Sequence, residues 1–293
     1  MTGVAVIGAG TMGRRLAVDF ARAGCDVTLF DVSSAAVEEA MRWLERTLGA
    51  WREEGRIDDG AAAAAMARIH PAPTLADAVA ESTFIFENVP ERLALKRALF
   101  ADLAPHLRHE AIIVSNTSSL PGSMMADASG RGDRFINANF SHLGHQKVEV
   151  MPHPGTSAAT RRSVVGFLRA SGFVPIVLRQ EQFGYASNRV WRAVKKEVLR
   201  QIAADVISPR DIDRGWMLDW GVSLGPCALM DAIGLDVVRD IEQSYADASG
   251  DPTDRPPAFL EAMVSGGRLG VKSGEGFYRY PDPEFTHPGF LGG

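Results

Sequence analysis

Cysteine is scarce in this chain: 293 residues hold two, Cys25 and Cys227. Two thiols cannot cage a metal by themselves, and a bridge between them is disfavoured in a reducing compartment. Both are therefore read as reduced core residues of a cytoplasmic protein. Long apolar runs are also missing; none approaches the roughly 20 residues that cross a bilayer as a helix. Positive charge is not in excess. Lys plus Arg is 31 against 36 Asp plus Glu, a net charge of −5, which speaks against a general nucleic-acid binder. The first residues, MTGVAVIGAG, read as a strand and not as a charged segment followed by an apolar one, so no secretory signal is expected. No HExxH or comparable metal spacing occurs, and Ser118 is not set in a GxSxG elbow. Neither a metal nor a nucleophilic serine is expected. His70, His106, His109, His153 and His287 read as surface or helix-end histidines. No internal repeat is visible.

What remains is ordinary globular composition, 46% apolar and 23% charged, in a chain long enough for about two domains. Apolar runs at residues 4–7, 27–30, 84–86, 112–115, 135–138 and 174–178 read as strands, with helical patterns between them at 34–48 and 91–103. That alternation predicts an α/β fold with a parallel, doubly wound sheet. Residues 34–80 are too many for one crossover helix and are read as an inserted helical hairpin. Between Glu38 and Asp59 it carries seven acids and four arginines. Strand signals stop near Gly184; residues 188–206, 211–218, 226–243 and 258–264 read as helices. The expected division is a dinucleotide-binding domain over 1–183 and an all-helical domain over 184–293. The tail from Pro281, rich in Pro and Gly, is expected to be loose.

The chemistry is most legible near the start. Gly8-Ala-Gly10-Thr11-Met12-Gly13 follows a strand and opens a helix, and Asp31 ends the next strand 18 residues after Gly13. Glycine at these positions permits a tight turn, backbone approach to a pyrophosphate and close packing of helix on strand. The helix N-terminus offers free N–H groups and a positive dipole to the phosphates. Asp31 would accept bonds from ribose hydroxyls and repel a 2′-phosphate, so NAD is expected and not NADP.

Further motifs follow in order. Glu87-Asn-Val-Pro-Glu91 precedes Lys96-Arg-Ala-Leu-Phe100; then come Ser115-Asn116-Thr-Ser118-Ser-Leu120, Val148-Glu149-Val150, Gly184-Tyr-Ala-Ser-Asn188-Arg189, Leu224-Gly-Pro226 with Asp231 to Asp236, and Gly274-Glu-Gly-Phe-Tyr278. Over nearly its whole length the chain thereby resembles the L-3-hydroxyacyl-CoA dehydrogenase family. The resemblance implies oxidation of the 3-hydroxyl of an acyl thioester by NAD. A His takes the hydroxyl proton, and a Glu orients that His. It assigns Ser118 and Asn188 to substrate oxygens, Glu149 to the orienting role, Glu91 and Lys96 to the nicotinamide end, and Asn116 to the cofactor. It also implies a dimer formed through the helical domain.

One departure falls at the centre. The family reads HFxNP where this chain has Asn139-Phe140-Ser141-His142-Leu143. Counting from Ser118 puts Asn139 at the catalytic His position and His142 at the Asn position. An amide takes no proton at neutral pH. Three readings stay open: the pair is swapped, with His142 the base and Asn139 on the substrate oxygen; His145 or another group of the altered loop acts, or the chemistry proceeds on an unusual substrate; or the site binds NAD without catalysing alcohol oxidation. The polar run Gly144-His145-Gln146-Lys147 replaces an apolar stretch, so a short or polar acyl group is expected. CoA is the default carrier and an acyl carrier protein the alternative. A tailoring dehydrogenase of secondary metabolism and a hydroxy-acid dehydrogenase are the variants of this reading. In the family the hairpin carries basic residues for the CoA phosphates; here it is net acidic, though spacing keeps Arg42 with Arg46 and Arg52 with Arg56, and the four could line one face.

Overall fold

A computed structural model describes residues 2–141 and 146–292. Its chain divides into two compact units, 1–186 and 187–293.

The first unit is built on an eight-stranded sheet. The opening crossover runs β1 (Gly3–Ile7), α1 (Thr11–Arg22), β2 (Asp26–Phe30). The hairpin follows as α2 (Ser34–Glu53) and α3 (Asp59–Met66), and then β3 (Ile69–Pro71) and α4 (Leu75–Val79). Next come β4 (Phe84–Glu87), α5 (Leu93–Leu103), β5 (Ile112–Ser115), β6 (Phe135–Phe140), β7 (Lys147–Met151), α6 (Ala158–Ala170) and β8 (Val174–Val177). Strand order is β3-β2-β1-β4-β5-β6-β7-β8. Strands β1 to β6 are parallel as expected, but β7 runs antiparallel to β6, and β8 runs parallel to β7. The sheet is therefore mixed. The reversal arises because only a short link joins β6 to β7, too few residues for the crossover that a parallel pair needs. Strands β3 and β7 are not among the expected strands; β3 is three residues long and β7 alternates charged with apolar residues, so neither forms an apolar run.

The helical unit opens with α7 (Ala186–Ala203), whose first residue belongs to the first unit, followed by α8 (Pro209–Trp220), α9 (Pro226–Ile233), α10 (Leu235–Ser249) and α11 (Ala258–Ser265). The single helix expected over 226–243 is two, broken at Gly234, whose φ of +103° no L side chain adopts easily. The late motifs brace this unit. Buried Asp213 accepts bonds from Cys227 N at 2.7 Å, Ala228 N at 2.8 Å and the Tyr278 hydroxyl at 2.9 Å. Asp231 accepts from Phe277 N and Tyr278 N, both at 2.9 Å. The tail is not loose: Phe290 is buried in the helical core, Phe285 meets Tyr278 edge-on at 5.0 Å, and Arg210 lies over Phe290. Aromatic anchors outweigh its Pro and Gly content. Cys25 and Cys227 are buried free thiols.

An aromatic cluster fixes β6 against α1. Phe20 of α1 meets Phe86 at 4.5 Å, Phe140 at 6.3 Å, Phe167 at 5.3 Å and Phe173 at 5.8 Å. Edge-on and tilted ring pairs of this kind add to the burial of area. Phe140 is the phenylalanine of the altered motif, so this packing sets where Asn139 and Ser141 lie. Phe20→Ala should lower unfolding stability by about 3–5 kcal/mol, read by urea denaturation. A loss under about 1 kcal/mol would mean the cluster closes over the gap.

Candidate functional site

The glycine loop leaves room for a phosphate. A Cβ on Gly13 would sit 1.7 Å from the Gly8 carbonyl oxygen, whereas one on Gly10 would meet nothing within 4 Å. Gly13 seals helix to strand, and Gly10 fronts open space at the start of α1, where no side chain caps the helix. Thr11 and Met12 begin that first turn. Asp31 leaves β2 and turns back on the loop: Oδ2 accepts from Ala9 N at 2.9 Å and Oδ1 from Ser33 N at 3.0 Å. Beside it opens a cavity of about 670 Å³ walled by Val37, Pro71, Ala72 and Leu75. An open phosphate cradle, an acid and an apolar slot fit the pyrophosphate, ribose and adenine of NAD in that order.

A second group of polar residues gathers at the C-terminal ends of β4 and β5. Glu87, with no exposed surface, accepts from Lys96 Nζ and Val89 N, each at 2.7 Å, and from the Ser115 hydroxyl at 2.5 Å. Burial pushes its carboxyl up against the pull of Lys96. Lys96 also lies 3.4 Å from Glu91. Glu91 Oε1 gathers the loop after β5, accepting from the Thr117 hydroxyl at 2.6 Å, Ser118 N at 3.0 Å, Ser119 N at 2.9 Å and the Ser119 hydroxyl at 2.8 Å. Burial alone would raise its carboxyl; the Thr117 bond, the Lys96 charge and the Ser119 bonds outweigh it and hold the group below its ordinary value. Ser118 is thus presented, exposed, at the tip of a loop tied down by Glu91. Lys96 is only 1% exposed. Its ammonium contacts Glu87 and Glu91, and Glu91 in turn carries the loop of Ser118. Asn116 likewise serves the scaffold, donating to Asn88 Oδ1 at 2.9 Å and accepting from Phe140 N at 3.1 Å, which ties the ends of β4, β5 and β6 together.

The altered motif sits beside this group. Register places Asn139 directly opposite Glu149 and Asn137 opposite Met151. Opposed residues of an antiparallel pair share a face, so Asn139, Glu149 and Lys147 line one face of the β6–β7 ribbon, and Phe140, Val148 and Val150 pack on the other. Glu149 has no exposed surface. Lys147 Nζ lies 3.5 Å from its Oε2. His142 and His145 fall outside the described residues. Asn188 stands in the first turns of α7 in the helical unit.

Sequence reading passes over two residues here. Lys147 precedes Glu149 by two, which is the spacing that puts strand residues on one face, and that period could have found it. Tyr185, where the resembling motif has Phe, is fully buried with a φ of +53°. Burial, then the charges of Glu91 and Glu149, push its phenol well above the ordinary tyrosine value. The hairpin arginines do not form the expected open face. Arg42 and Arg46 share Glu39, Arg52 pairs with Asp59 and Arg56 with Glu54.

A strand, a glycine cradle, a helix and an acid at the end of the next strand, with a buried carboxylate cluster at the neighbouring strand ends, define an NAD-dependent oxidoreductase. Residues 3–182 match the model of the 3-hydroxyacyl-CoA dehydrogenase NAD-binding domain, and 184–280 that of the C-terminal domain. The chain belongs to the 3-hydroxyacyl-CoA dehydrogenase family. It is 35% identical to a probable 3-hydroxybutyryl-CoA dehydrogenase of Deinococcus radiodurans over 94% of this chain and 99% of that one. It is 29% identical to a 5-formyl-3-hydroxy-2-methylpyridine 4-carboxylate 5-dehydrogenase of Mesorhizobium japonicum, over 97% and 92%. Among solved structures, (S)-3-hydroxybutyryl-CoA dehydrogenase of Ralstonia eutropha superposes with a TM-score of 0.88 at 29% identity, covering 96% of this chain and all of that one. The family thus includes relatives that act on acyl-CoA and one that acts on a pyridine. No described helix is long and apolar enough to cross a membrane.

Gly13→Ala should abolish NAD binding in calorimetry, since its Cβ cannot coexist with the Gly8 carbonyl. Asp31→Ala should weaken NAD by about tenfold, on the order of 1–2 kcal/mol for hydrogen bonds to a charged group, and leave NADP binding unchanged or tighter. An equal loss for both cofactors would remove Asp31 from the ribose.

Proposed function

We propose that this protein interconverts a short or polar 3-hydroxyacyl thioester and its 3-oxo form, with His142 as the proton-carrying group and Asn139 on the substrate's 3-oxygen. The observation that carries the reading is the Asn139–Glu149 register. It keeps the orienting carboxylate buried opposite the position from which the family's His has moved by three residues. NAD, which the glycine loop at 8–13 and Asp31 would hold, would supply the acceptor or donor of the hydride at C3 of the substrate. This chain's residues do the rest. Glu149 stabilises the charged form of the base, as carboxylates do in other base–orienter pairs. Ser118, on its Glu91-anchored loop, hydrogen-bonds a substrate oxygen in this assignment, a role that the family resemblance also gives Asn188. The intact carboxylate cluster argues against an NAD-binding protein without catalysis, because buried charges are costly to retain without use.

For the carrier, the supporting feature is a cavity of about 610 Å³ lined by Arg15, Arg22, Arg56, Trp43, Trp51 and Gln146. Trp51 lies between the Arg22 and Arg56 guanidiniums, 4.9 and 4.8 Å from its ring. Arginines and indoles together suit the phosphates and base of CoA. A second reading, a carrier protein or a free hydroxy acid in place of CoA, is favoured by Arg42, Arg46 and Arg52 of the hairpin being paired with hairpin acids. A homodimer is part of the proposal: Leu218, Trp220, Val222, Val237 and Ile241 of the helical unit are exposed and would be covered by a second copy. The two buried free thiols suit the cytoplasm.

NADH oxidation is the test, with acetoacetyl-CoA, longer and hydroxylated 3-oxoacyl-CoA esters, the corresponding carrier-protein thioesters and free oxo acids. Turnover is expected with short or polar thioesters, falling steeply with apolar chain length. His142→Ala should lower kcat by about 10²–10⁴-fold. Tight NAD binding with no turnover of any substrate would sink the reading, and wild-type kcat in His142→Ala would remove His142 from it.

A further inference from the structure

Lys147 belongs to the polar run that replaces an apolar stretch, and the fold gives it a place. It begins β7 at the end of the sheet where β6 finishes, on the same face as Glu149 and Asn139. Its side chain is 39% exposed, and its ammonium lies 3.5 Å from a Glu149 carboxylate that has no exposed side chain. A carboxylate taken out of water must be met by a cation or by hydrogen bonds, and truncating a close partner leaves an expensive residue of charge. Across the register Glu149 meets the Asn139 amide on β6 and Ile176 on β8. Tyr185 is held neutral by burial, and Glu91 beyond it is engaged with Lys96 and the Ser118 loop. His142 and His145 are the titratable groups of the adjoining loop, outside the described residues.

We infer that Lys147 is a positioning residue of this site: its ammonium compensates the buried Glu149 carboxylate and so sets the pH range in which the Glu149-backed group is free to take a proton. The inference rests on the proposed reaction, with Glu149 behind the proton carrier. A nearby positive charge makes every coupled group in such a pair lose its proton more readily. Removing it moves the pair the other way. The substrate's hydroxyl proton then has a neutral acceptor only at higher pH.

Two measurements test this together. In the first, kcat/KM for oxidation of the 3-hydroxy thioester is followed against pH in wild type, Lys147→Met and Lys147→Arg. The acid limb should move up by on the order of one pH unit in Lys147→Met and return to the wild-type position in Lys147→Arg. A Lys147→Met enzyme that is slower but keeps the wild-type limb would overturn the inference, since a packing role would change rate alone. In the second, Lys147→Met is made in the wild-type chain and in a Glu149→Gln background, and unfolding midpoints are compared. Lys147→Met should lower the midpoint of the wild-type chain and leave that of the Glu149→Gln variant unchanged. An equal effect in both backgrounds would overturn the pairing. This second measurement needs no turnover, so an inactive wild type would refute the proposed reaction while the Lys147–Glu149 pairing is still decided.

Discussion

A carboxylate with no exposed surface faces an amide across two antiparallel strands, and the chemistry of this protein turns on that pair. In a His-and-Glu arrangement the carboxylate would hold the base in place from the opposite strand. Here Asn139 occupies the opposed position and can only donate or accept a hydrogen bond. Glu149 is nonetheless kept, buried, and given a lysine at its outer edge. Buried carboxylates with a cation beside them concentrate at sites that use charge, which is why the proposed chemistry is placed here.

The surrounding structure serves to hold that face still. The Phe20 cluster pins Phe140 from one side of the sheet, and Asn116 fastens the Phe140 amide from the strand next door. Arg15 of α1 donates to the Ser141 carbonyl, so the helix that opens at the cofactor loop also grips the end of β6. On the β4–β5 side, Lys96 is sandwiched between Glu87 and Glu91, and Glu91 in turn carries the Ser118 loop. Cofactor cradle, serine loop and altered motif are thereby coupled through a few polar contacts at strand ends and helix starts.

Much of this is readable from local pattern. The β1–α1–β2 crossover, with its glycines and Asp31, is written in consecutive residues whose spacing has one physical meaning. Ser118 and Glu149 are legible because they sit in ordered motifs. The parts that escape reading are those in which neighbours in space, not in sequence, decide. Strand β7 hides because Lys147 and Glu149 alternate with valines and break the apolar run. Gly234 divides a stretch whose helical periodicity continues across it. Phe285 and Phe290 anchor a tail whose composition suggests disorder. Arg42, Arg46, Arg52 and Arg56 look like an open basic face until Glu39, Glu54 and Asp59 are seen beside them. The pattern gives Lys96 as a charged residue of an ordered motif, but not its burial between Glu87 and Glu91.

The central claim is that Asn139 and His142 have exchanged roles about a retained Glu149. A crystal structure of the ternary complex with NAD and a short 3-oxoacyl thioester tests it most directly. The account predicts the 3-oxygen within about 3.2 Å of both the His142 imidazole and the Asn139 amide, with Glu149 bonded to the far side of the ring. A 3-oxygen held by Ser118 alone, with His142 directed away from it and from Glu149, would contradict the account.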